Sequence, residues 1–406
     1  MAGEMILSGL LDPVDPVGVA DLILDHLVRI GFIVDYDELG RPVLRSPEGK
    51  ESLRALHKEA RRLALLPRLG WIRWAWMRFS AFFARGEWIV PERIRPVLVE
   101  ITERWHADLA RLARLLWSST PYSKGFGRRL GFLLLDEGNR GPLGNPLLIG
   151  ILLLQSPPIT LSPRDRFFQY PPGQKVDKIN TTADVHSLMA VPPYNDLLGG
   201  KLVAYAAASN EVREAYRRKY AGRRTEIEGR VLPADLVALT AVSAFGRSSL
   251  YNRLRYRDGP IAISLGYAAG YGVFHLEPFY PFFRALLESR GISTRGGFDA
   301  GPRVKWQICV RALEALGLSR TLINHSVPRE VFLFPLAHNL KDFMEGRAEE
   351  PLYRDLPFRD LAAYWHERWL LPRAERVDRW RSWEPEGLLD QVFPTDADGA
   401  FPSGQG

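Results

Sequence analysis

Two apolar segments separated by a turn constrain the fold of this chain most. Residues 127–139 read GRRLGFLLLDEGN and residues 141–158 read GPLGNPLLIGILLLQSPP, with a Gly/Asn/Pro-rich turn between the two apolar runs. Short apolar runs bounded by turn residues are typical of β-strands. The chain is therefore predicted to contain a sheet that begins shortly after Trp117, where a preceding helical period ends.

Strands and helices alternate after this pair. Residues 183–220 have the order strand, tight turn, helix, and residues 232–256 repeat it, with a turn at Gly246 and a short helix that carries Leu250 and Leu254. Alternation of this kind indicates a mixed α/β layer, here from about residue 116 to 287.

The regions on either side look helical. Residues 19–110 show helical periodicity, interrupted by a small hairpin between Phe32 and Val43, and one apolar stripe from Ile94 to Leu116 predicts a long amphipathic helix. The region from about 291 to 385 is rich in Arg and Trp and mainly helical in pattern. We expect a helical domain over 1–115, an α/β domain over 116–290, a helical domain over 291–385 and a disordered tail over 386–406.

The composition is that of a globular protein with a modest basic excess. Hydrophobic residues make up 46% of 406 residues, enough for two or three domains, and 54 Lys and Arg against 47 Asp and Glu give a net charge of +7. This excess is compatible with nucleic-acid contact and equally with simple solubility.

Several features indicate a cytoplasmic protein. The first residues lack the pattern of a signal peptide, and the best apolar run, LLIGILLLQ, is much shorter than the roughly 20 residues of a spanning helix. The single cysteine, Cys309, excludes a disulfide framework and suits a reducing compartment.

A series of unusual strings occurs in one order along the chain. They are TPYSKGFGRRLGFLLLD, LSPRDR, AVPPYNDLLGGKLVA, SAFGRSSLYNRL, GYAAGYGVFHL, GPRVKWQ, REVFLFPLAHN and ERWLLPRAER. Together, from about Leu22 to Arg376, they resemble the DruA-like family of the Druantia anti-phage defence systems. This resemblance implies a role in defence and makes contact with nucleic acid more plausible than the charge alone does.

The central region also resembles the GNAT superfamily, and in particular the phage-encoded Mom proteins that modify adenine in DNA. Tyr122, Ser123 and Lys124 match an HYSK-like string of Mom that also precedes a hairpin. The segment AVPPYNDLLGGKLVA falls where GNAT proteins have a strand, the pyrophosphate turn and a helix, and LYNRLRY falls where they have a helix with a terminal Tyr. The resulting expectation is an α+β fold, with a central GNAT-like (Mom-like) mixed-sheet domain flanked by helical N- and C-terminal regions.

The turn from Asn195 to Lys201 is the candidate cofactor site. Backbone N–H groups at a helix N-terminus can hold a diphosphate, and Asn195, Gly199, Gly200 and Lys201 could supply that environment for acetyl-CoA or a related acyl donor. Asp196 adds a carboxylate beside the expected anion, and the glycine spacing departs from the usual GNAT pattern. The alternative is that Asn195 or Asp196 caps the helix and the glycines permit close packing.

Group transfer to an amine requires a base, an acid and donors for a developing oxyanion. Asp184, at the start of the strand before the turn, and Tyr122 are candidates for base or orienting roles, and Tyr251 occupies the position of the GNAT acid. Ser123 lies where Mom has its Tyr-Ser pair, and His275 could titrate near neutrality. Each has a structural alternative, as a strand-end carboxylate, a buried ring, a turn residue or a core histidine.

A metal site has no motif to support it. His186, His275, Asp184 and Asp165 could converge in space, but no ligand spacing proposes them. No metal is predicted.

The segment REAYRRKYAGRR, residues 213–224, is the strongest local basic patch. Its cations are Arg213, Arg217, Arg218, Lys219, Arg223 and Arg224, interleaved with Tyr216 and Tyr220. Arg247 and Lys305 are further candidates for phosphate contact. The alternative is a solvated helix face with two buried rings.

Two functions from different classes remain open. The first is a transferase that modifies a nucleic acid, DNA before RNA. The second is a non-catalytic DNA-binding component that recruits a helicase or nuclease partner of a defence system.

Overall fold

The computed structural model describes residues 16–224, 229–257, 259–268, 270, 272–294 and 302–388. The strands, in chain order, are β1 (Ile33–Tyr36), β2 (Pro42–Arg45), β3 (Pro96–Glu100), β4 (Leu130–Arg140), β5 (Pro146–Gln155), β6 (Thr182–Ala190), β7 (Ala238–Val242), β8 (Arg255–Tyr256), β9 (Gly259–Pro260), β10 (Ile263–Ala268) and β11 (Arg329–Pro335). Seven of them form one sheet in the order β10-β11-β7-β6-β5-β4-β3, and β1–β2 and β8–β9 are small separate pairs. Within the large sheet β6 and β7 are parallel, whereas the other neighbours are antiparallel.

The α-helices are α1 (Pro16–Arg29), α2 (Lys50–Leu65), α3 (Leu69–Phe79), α4 (Arg104–Trp117), α5 (Ser162–Phe167), α6 (Lys175–Ile179), α7 (Gly199–Ala207), α8 (Asn210–Tyr220), α9 (Tyr280–Ser289), α10 (Pro302–Ala315), α11 (Leu340–Met344), α12 (Phe358–Trp365) and α13 (Leu371–Ala374). A π-helical turn, His366–Leu370, joins α12 to α13. Short 3-10 helices are Leu66–Arg68, Ser80–Phe82, Gly86–Trp88, Pro91–Arg93, Phe274–Phe279 and Arg320–Ile323.

The predicted strand pair forms the centre of the sheet. β4 and β5 pair in antiparallel register, with Leu133 opposite Ile151, and nearly every residue of both strands is buried. A strand that is buried on both faces needs apolar side chains at successive positions, which explains the continuous runs in the sequence. The prediction of these two strands is confirmed, as are the β1–β2 hairpin and the order β6, turn, α7.

Side chains alternate between the two faces of the sheet. On one face Leu134, Ile149 and Leu152 join the core that contains α7, α8 and α12. On the other, Leu133 and Ile151 pack with α3 and α4. We call these the α7 face and the α4 face.

A second apolar core lies away from the sheet. It combines α1 and the first half of α2 with α9, α10 and the 3-10 helices at 274–279 and 320–323; Ile23, Leu56, Phe283 and Leu313 are fully or almost fully buried in it. We call this core and its helices the helical lobe. It is built from two parts of the chain that lie more than 200 residues apart.

Three secondary-structure predictions were wrong. The expected single helix from Ile94 to Leu116 is instead β3 followed by α4, because Val97, Leu98 and Val99 pair with β4. The segment after Gly246 forms turns rather than a short helix at Leu250. In the region expected to be helical, β11 is a buried strand between β7 and β10.

The mixed α+β class is confirmed, with a seven-stranded mixed sheet and surrounding helices. The domain boundaries at 115, 290 and 385 stay a prediction. The sheet nevertheless takes β3 from the first predicted domain and β11 from the third. From residue 389 the predicted tail lies outside the described residues.

Candidate functional site

A row of three polar side chains crosses the middle of the sheet. Gln155 at the end of β5 is opposite Asp184 in β6, and Asp184 is opposite Thr240 in β7. Thr240 Oγ1 donates to Asp184 Oδ1 at 2.8 Å, and Gln155 Nε2 donates to Oδ2 at 3.1 Å. A carboxyl group is thus held between two neutral donors within a predominantly apolar sheet.

Burial controls the chemistry of this carboxyl group. Asp184 is 9% exposed, and burial raises the pKa of its carboxyl group, although the hydrogen bonds from Thr240 and Gln155 and the charge of Arg164 oppose the rise. Carboxyl groups with a raised pKa can take up and release protons closer to neutral pH than an exposed aspartate can.

The loop before β4 lies over one end of this row. An ideal Cβ on Gly125 would lie 3.4 Å from His186 Cδ2 and 3.6 Å from Gln155 Oε1. His186 Nε2 is 3.2 Å from the carbonyl oxygen of Ser123. The structure therefore brings Ser123 and its loop close to Asp184, which lies two residues before His186 in β6.

Arg114 holds this loop from the end of α4. It donates to the carbonyl oxygen of Ser123 at 2.6 Å and to Ser123 Oγ at 3.3 Å, and its guanidinium lies 4.8 Å from the ring centre of Tyr122. Arg68 lies 5.1 Å from the same ring centre. Tyr122 is thus in contact with two cations, and Ser123 remains exposed.

The loop contacts two side chains of different charge: Arg114 is a cation and His186 is neutral. Burial lowers the pKa of Arg114 to about 10, so it stays charged at neutral pH. Burial, followed by the charge of Arg114, lowers the pKa of His186 to about 4, which leaves a neutral imidazole. No carboxylate lies within ion-pair distance of Arg114 in the part of the chain that the structure describes.

Tyr251 lies on the other side of the sheet from Asp184. Its ring packs on Phe332 and Phe334, 4.9 and 5.6 Å between centres, in the core of the α7 face. Phe332 pairs with Ala241 in β7, so these two side chains point to the same face of the sheet. Thr240, the residue next to Ala241, points to the opposite face and donates to Asp184. Tyr251 and Asp184 therefore do not face one cleft. Burial raises the pKa of Tyr251, and the charge of Asp184 raises it further, so the two groups are near enough to interact electrostatically across the sheet.

His275 belongs to the helical lobe. It is 1% exposed, its Nε2 lies 2.6 Å from the carbonyl oxygen of Leu322, and burial lowers its pKa to about 4. This environment matches the alternative of a core histidine.

The turn from Asn195 to Lys201 uses its main-chain donors internally. The N–H groups of residues 195, 196, 198, 199 and 201 all donate to carbonyl oxygens within residues 191–198. Arg379 pairs with Asp196, Arg373 donates to the carbonyl oxygen of residue 196, and Trp365 donates to that of Leu198. This geometry does not favour a diphosphate at Asn195, Gly199 and Gly200.

Lys201 caps a neighbouring turn instead of facing an anion. Its Nζ donates to the carbonyl oxygen of Leu250 at 3.1 Å and lies 4.4 Å from the ring centre of Trp369. Burial lowers its pKa to about 8.

The four candidate metal ligands are not brought together. Among the residues that the structure describes, no group of three or more His, Cys, Asp or Glu side chains could hold a metal ion. Asp165 accepts hydrogen bonds from Arg164, Lys175 and its own loop, and His275 lies in the helical lobe.

The basic residues of α8 divide into two groups. Arg213 stacks on Tyr353 at 4.1 Å, and Arg217, one turn along, lines a cleft of about 480 Å³. The acidic residues that line this cleft are Asp177, Asp235, Glu349 and Glu350. Because these carboxylates outnumber the cations, this side of α8 is not suited to a phosphate backbone.

The other group faces the start of β4. Arg218 pairs with Glu100, and Lys219 lies near Arg129 and Arg223, both of which are exposed. Burial lowers the pKa of Lys219, and these two cations lower it further. We call Arg129, Arg218, Lys219 and Arg223 the α8 basic surface.

The remaining predicted cations lie elsewhere. Arg224 donates to the carbonyl oxygen of Gly229 at 2.8 Å. Lys305 pairs with Glu277 in the helical lobe, and Arg247 is exposed in the loop after β7.

One loop joins the α8 basic surface to the Asp184 row. Tyr220 of α8 donates to the carbonyl oxygen of Arg129 at 2.6 Å, whereas Gly125 approaches His186 and Gln155. Gly125 and Arg129 are four residues apart, which is at most about 14 Å of chain, and the loop connects two features that lie on opposite faces of the sheet, because α8 packs on the α7 face and Asp184 points away from it.

Comparison with known proteins decides the family. The family model described as "Druantia protein DruA" matches residues 47–346. The chain is also 32% identical, over 376 residues, to the Druantia protein DruA of Escherichia coli (strain UMEA 4076-1), an alignment that covers 91% of this chain and 90% of that protein. This chain belongs to the DruA family of Druantia defence proteins. No solved structure matches it.

Among the described residues of this DruA family protein, no helix has both the length and the apolar character needed to cross a membrane. The resemblance to GNAT and Mom proteins is not tested by these comparisons.

Three residues of the candidate site were missed by sequence reasoning. Gln155 and Thr240 lie in strands whose registers place them beside Asp184, and Arg114 lies among buried apolar residues at the end of α4. A single Arg among buried positions of an amphipathic helix was the one available signal. The partners in neighbouring strands could not be identified without the register.

Proposed function

We propose that this chain acts on nucleic acid in anti-phage defence and that its chemistry takes place at the Asp184 row. The observation that carries the proposal is the loop of residues 121–129. Its first half approaches Gln155 and His186, which flank Asp184, and its last residue, Arg129, belongs to the α8 basic surface and accepts a hydrogen bond from Tyr220. A protein that modifies nucleic acid must hold the backbone while a nucleotide reaches the reactive groups, so the two functions must be adjacent.

The residues of the row support proton transfer. Asp184 is a desolvated carboxyl group held by Thr240 and Gln155, which suits it as a general acid or base. Ser123 is exposed and contacts His186, and the cation of Arg114 favours negative charge near Ser123 Oγ.

The class of reaction is group transfer to a base. The resemblance to Mom proteins supports this class, and it rests on Tyr122, Ser123 and Lys124, which lie in the loop that approaches His186 and Gln155. The aromatic ring of Tyr122 offers a surface on which an unstacked base could lie. The contacts around Asn195 to Lys201 do not support an acyl donor at that turn, so the proposal names no donor.

Substitution of Asp184 by Asn tests the chemistry. The change keeps the shape of the side chain and removes its charge, and the exposed surface residue Asp378 provides a matched control, Asp378→Asn. We expect Asp184→Asn to bind DNA within twofold of the parent, to melt within a few degrees of it and to lose phage protection in cells that carry the complete defence system. Asp378→Asn should retain all three properties. Mass spectrometry of nucleosides from DNA incubated with cell extract and either protein would identify the transferred group.

Full protection by Asp184→Asn would favour the second function, a non-catalytic DNA-binding component that recruits a helicase or nuclease. One observation is in its favour. Both oxygens of Asp184 already accept hydrogen bonds, as they would if the row only stabilised the sheet.

A second experiment tests the basic surface. The double variant Lys219→Gln, Arg223→Gln should bind unrelated duplexes and single strands more weakly by similar factors, with a log–log salt slope lower by about 0.7 to 0.9 for each lost phosphate contact. Arg217→Gln is the control on the same helix, because Arg217 faces the acidic cleft. Equal salt slopes for the double variant and the parent would remove the α8 basic surface from the proposal.

A further inference from the structure

A buried histidine near the middle of α2 has no hydrogen-bond partner. His57 is 1% exposed, and neither ring nitrogen makes a hydrogen bond within the described structure. Its ring packs on Phe245 and Phe274, with centres 5.0 and 4.1 Å apart. A buried polar group without a partner is unfavourable, so this position requires an explanation.

Two arginines approach the same histidine. Arg61 lies one turn further along α2. Arg329, the first residue of β11, forms a β-bridge with Gly246, whose neighbour Phe245 packs on the His57 ring; both arginines are partly buried. Arg61 donates a long hydrogen bond, 3.4 Å, to the carbonyl oxygen of Leu116. The Nε atom of Arg329 is buried and has no hydrogen-bond partner within the described structure. Neither guanidinium has a carboxylate within 4.0 Å among the described residues.

The charges of this group are therefore uncompensated. Burial lowers the pKa of both arginines. Burial lowers the pKa of His57 to about 3, and the positive charges of Arg329 and Arg61 act in the same direction. Cations taken out of water are strongly disfavoured unless an anion or several acceptors compensate them.

The donors are those that a tetrahedral oxyanion requires. Guanidinium groups bind phosphate through paired N–H donors, and an imidazole nitrogen adds a further donor. We infer that His57, Arg61 and Arg329 form a binding site for a phosphate-type anion, between α2 and the start of β11. The inference does not depend on the proposed chemistry at Asp184.

Thermal unfolding of the full chain with inorganic phosphate tests the site. Phosphate should raise the melting temperature of the parent more than NaCl of the same ionic strength does, because a ligand of the native state stabilises it by mass action. Arg61→Gln and Arg329→Gln should lose this shift and weaken phosphate binding by about tenfold or more in calorimetric titration. The control, Arg62→Gln, changes the exposed arginine next to Arg61 and should bind phosphate like the parent.

Without phosphate, Arg61→Gln and Arg329→Gln should melt at the same temperature as the parent or higher, because the variants remove a buried, uncompensated charge. If the arginines only stabilised the fold, the same variants would melt at a lower temperature than the parent. Phosphate that stabilises the parent no more than NaCl does, or that stabilises all four proteins equally, would overturn the inference. The first of these outcomes needs no variant.

The anion could come from a free ligand or from a nucleic-acid backbone, and the same proteins distinguish them. If Arg61→Gln binds a single-stranded oligonucleotide more weakly than the parent does, the site binds a backbone phosphate. Unchanged oligonucleotide affinity, together with loss of binding of a 5′-mononucleotide and of phosphate, would assign it to a free ligand.

Discussion

The helical lobe should lose stability as the pH falls below 6.5, because two of its histidines are buried in their neutral form. Burial lowers the pKa of His57 to about 3 and that of His275 to about 4. An unfolded chain has a histidine pKa of about 6.5. Since the folded-state values are the lower ones, the stabilisation is fully present above about pH 6.5 and is lost as the pH falls towards 4.

The size of the effect follows from proton linkage. At pH 5 each histidine binds nearly one proton in the unfolded chain and almost none in the folded protein. Each then contributes a loss of about 2 kcal/mol relative to pH 8, or about 4 kcal/mol for the pair. A typical domain is stable by only about 5 to 15 kcal/mol, so a loss of this size is readily measured.

Urea unfolding of the full chain between pH 8 and 5, in a buffer without phosphate or sulfate, gives the free energy at each pH. The double variant His57→Phe, His275→Gln should lose most of the slope: Phe can pack on Phe245 and Phe274, and Gln can still donate to the carbonyl oxygen of Leu322. Substitution of the exposed His338 by Gln is the control. If the parent and the double variant lose the same free energy between pH 8 and 5, the histidines are not buried as neutral groups and the reasoning fails.

Two further predictions concern single contacts. Leu56→Ala, in the core of the helical lobe, should destabilise the protein by about 2 to 5 kcal/mol, whereas Val28→Ala, on the exposed side of α1, should change stability by less than about 0.5 kcal/mol in the same urea experiment. Arg114→Gln should loosen residues 121–129, because Ser123 loses its charged donor; hydrogen exchange of these amides should become faster, and unchanged exchange would show that the loop holds its position without Arg114.

Much of the secondary structure could be predicted because it depends on local patterns. The runs that became β4 and β5 are apolar on both faces, and the turn between β6 and α7 carries its own Gly, Pro and Asn signals. The misses share one cause. Residues 96–100 read PVLVE, a run too short to distinguish helix from strand, and pairing with β4 decides it.

The candidate site was predicted less completely. Tyr122 and Ser123 lie in the loop that approaches Gln155 and His186, the neighbours of Asp184, whereas Tyr251 and His275 lie on the opposite face of the sheet and in the helical lobe. A shift of one residue in a strand reverses the direction of its side chain, so the face of Asp184 depends on a register that no local pattern shows.

The sequence by itself determined the family, the mixed α+β class, the central strand pair and the basic segment after α7, because each depends on residues that are close in the chain or on strings of residues. Tertiary structure alone decided the rest. It brought α1 and α2 against residues 274–327, divided the cations of α8 between an acidic cleft and a basic surface, and placed Arg329 beside His57. Contacts between residues so far apart are set by the register of strands and the packing of helices, which involve the whole chain at once.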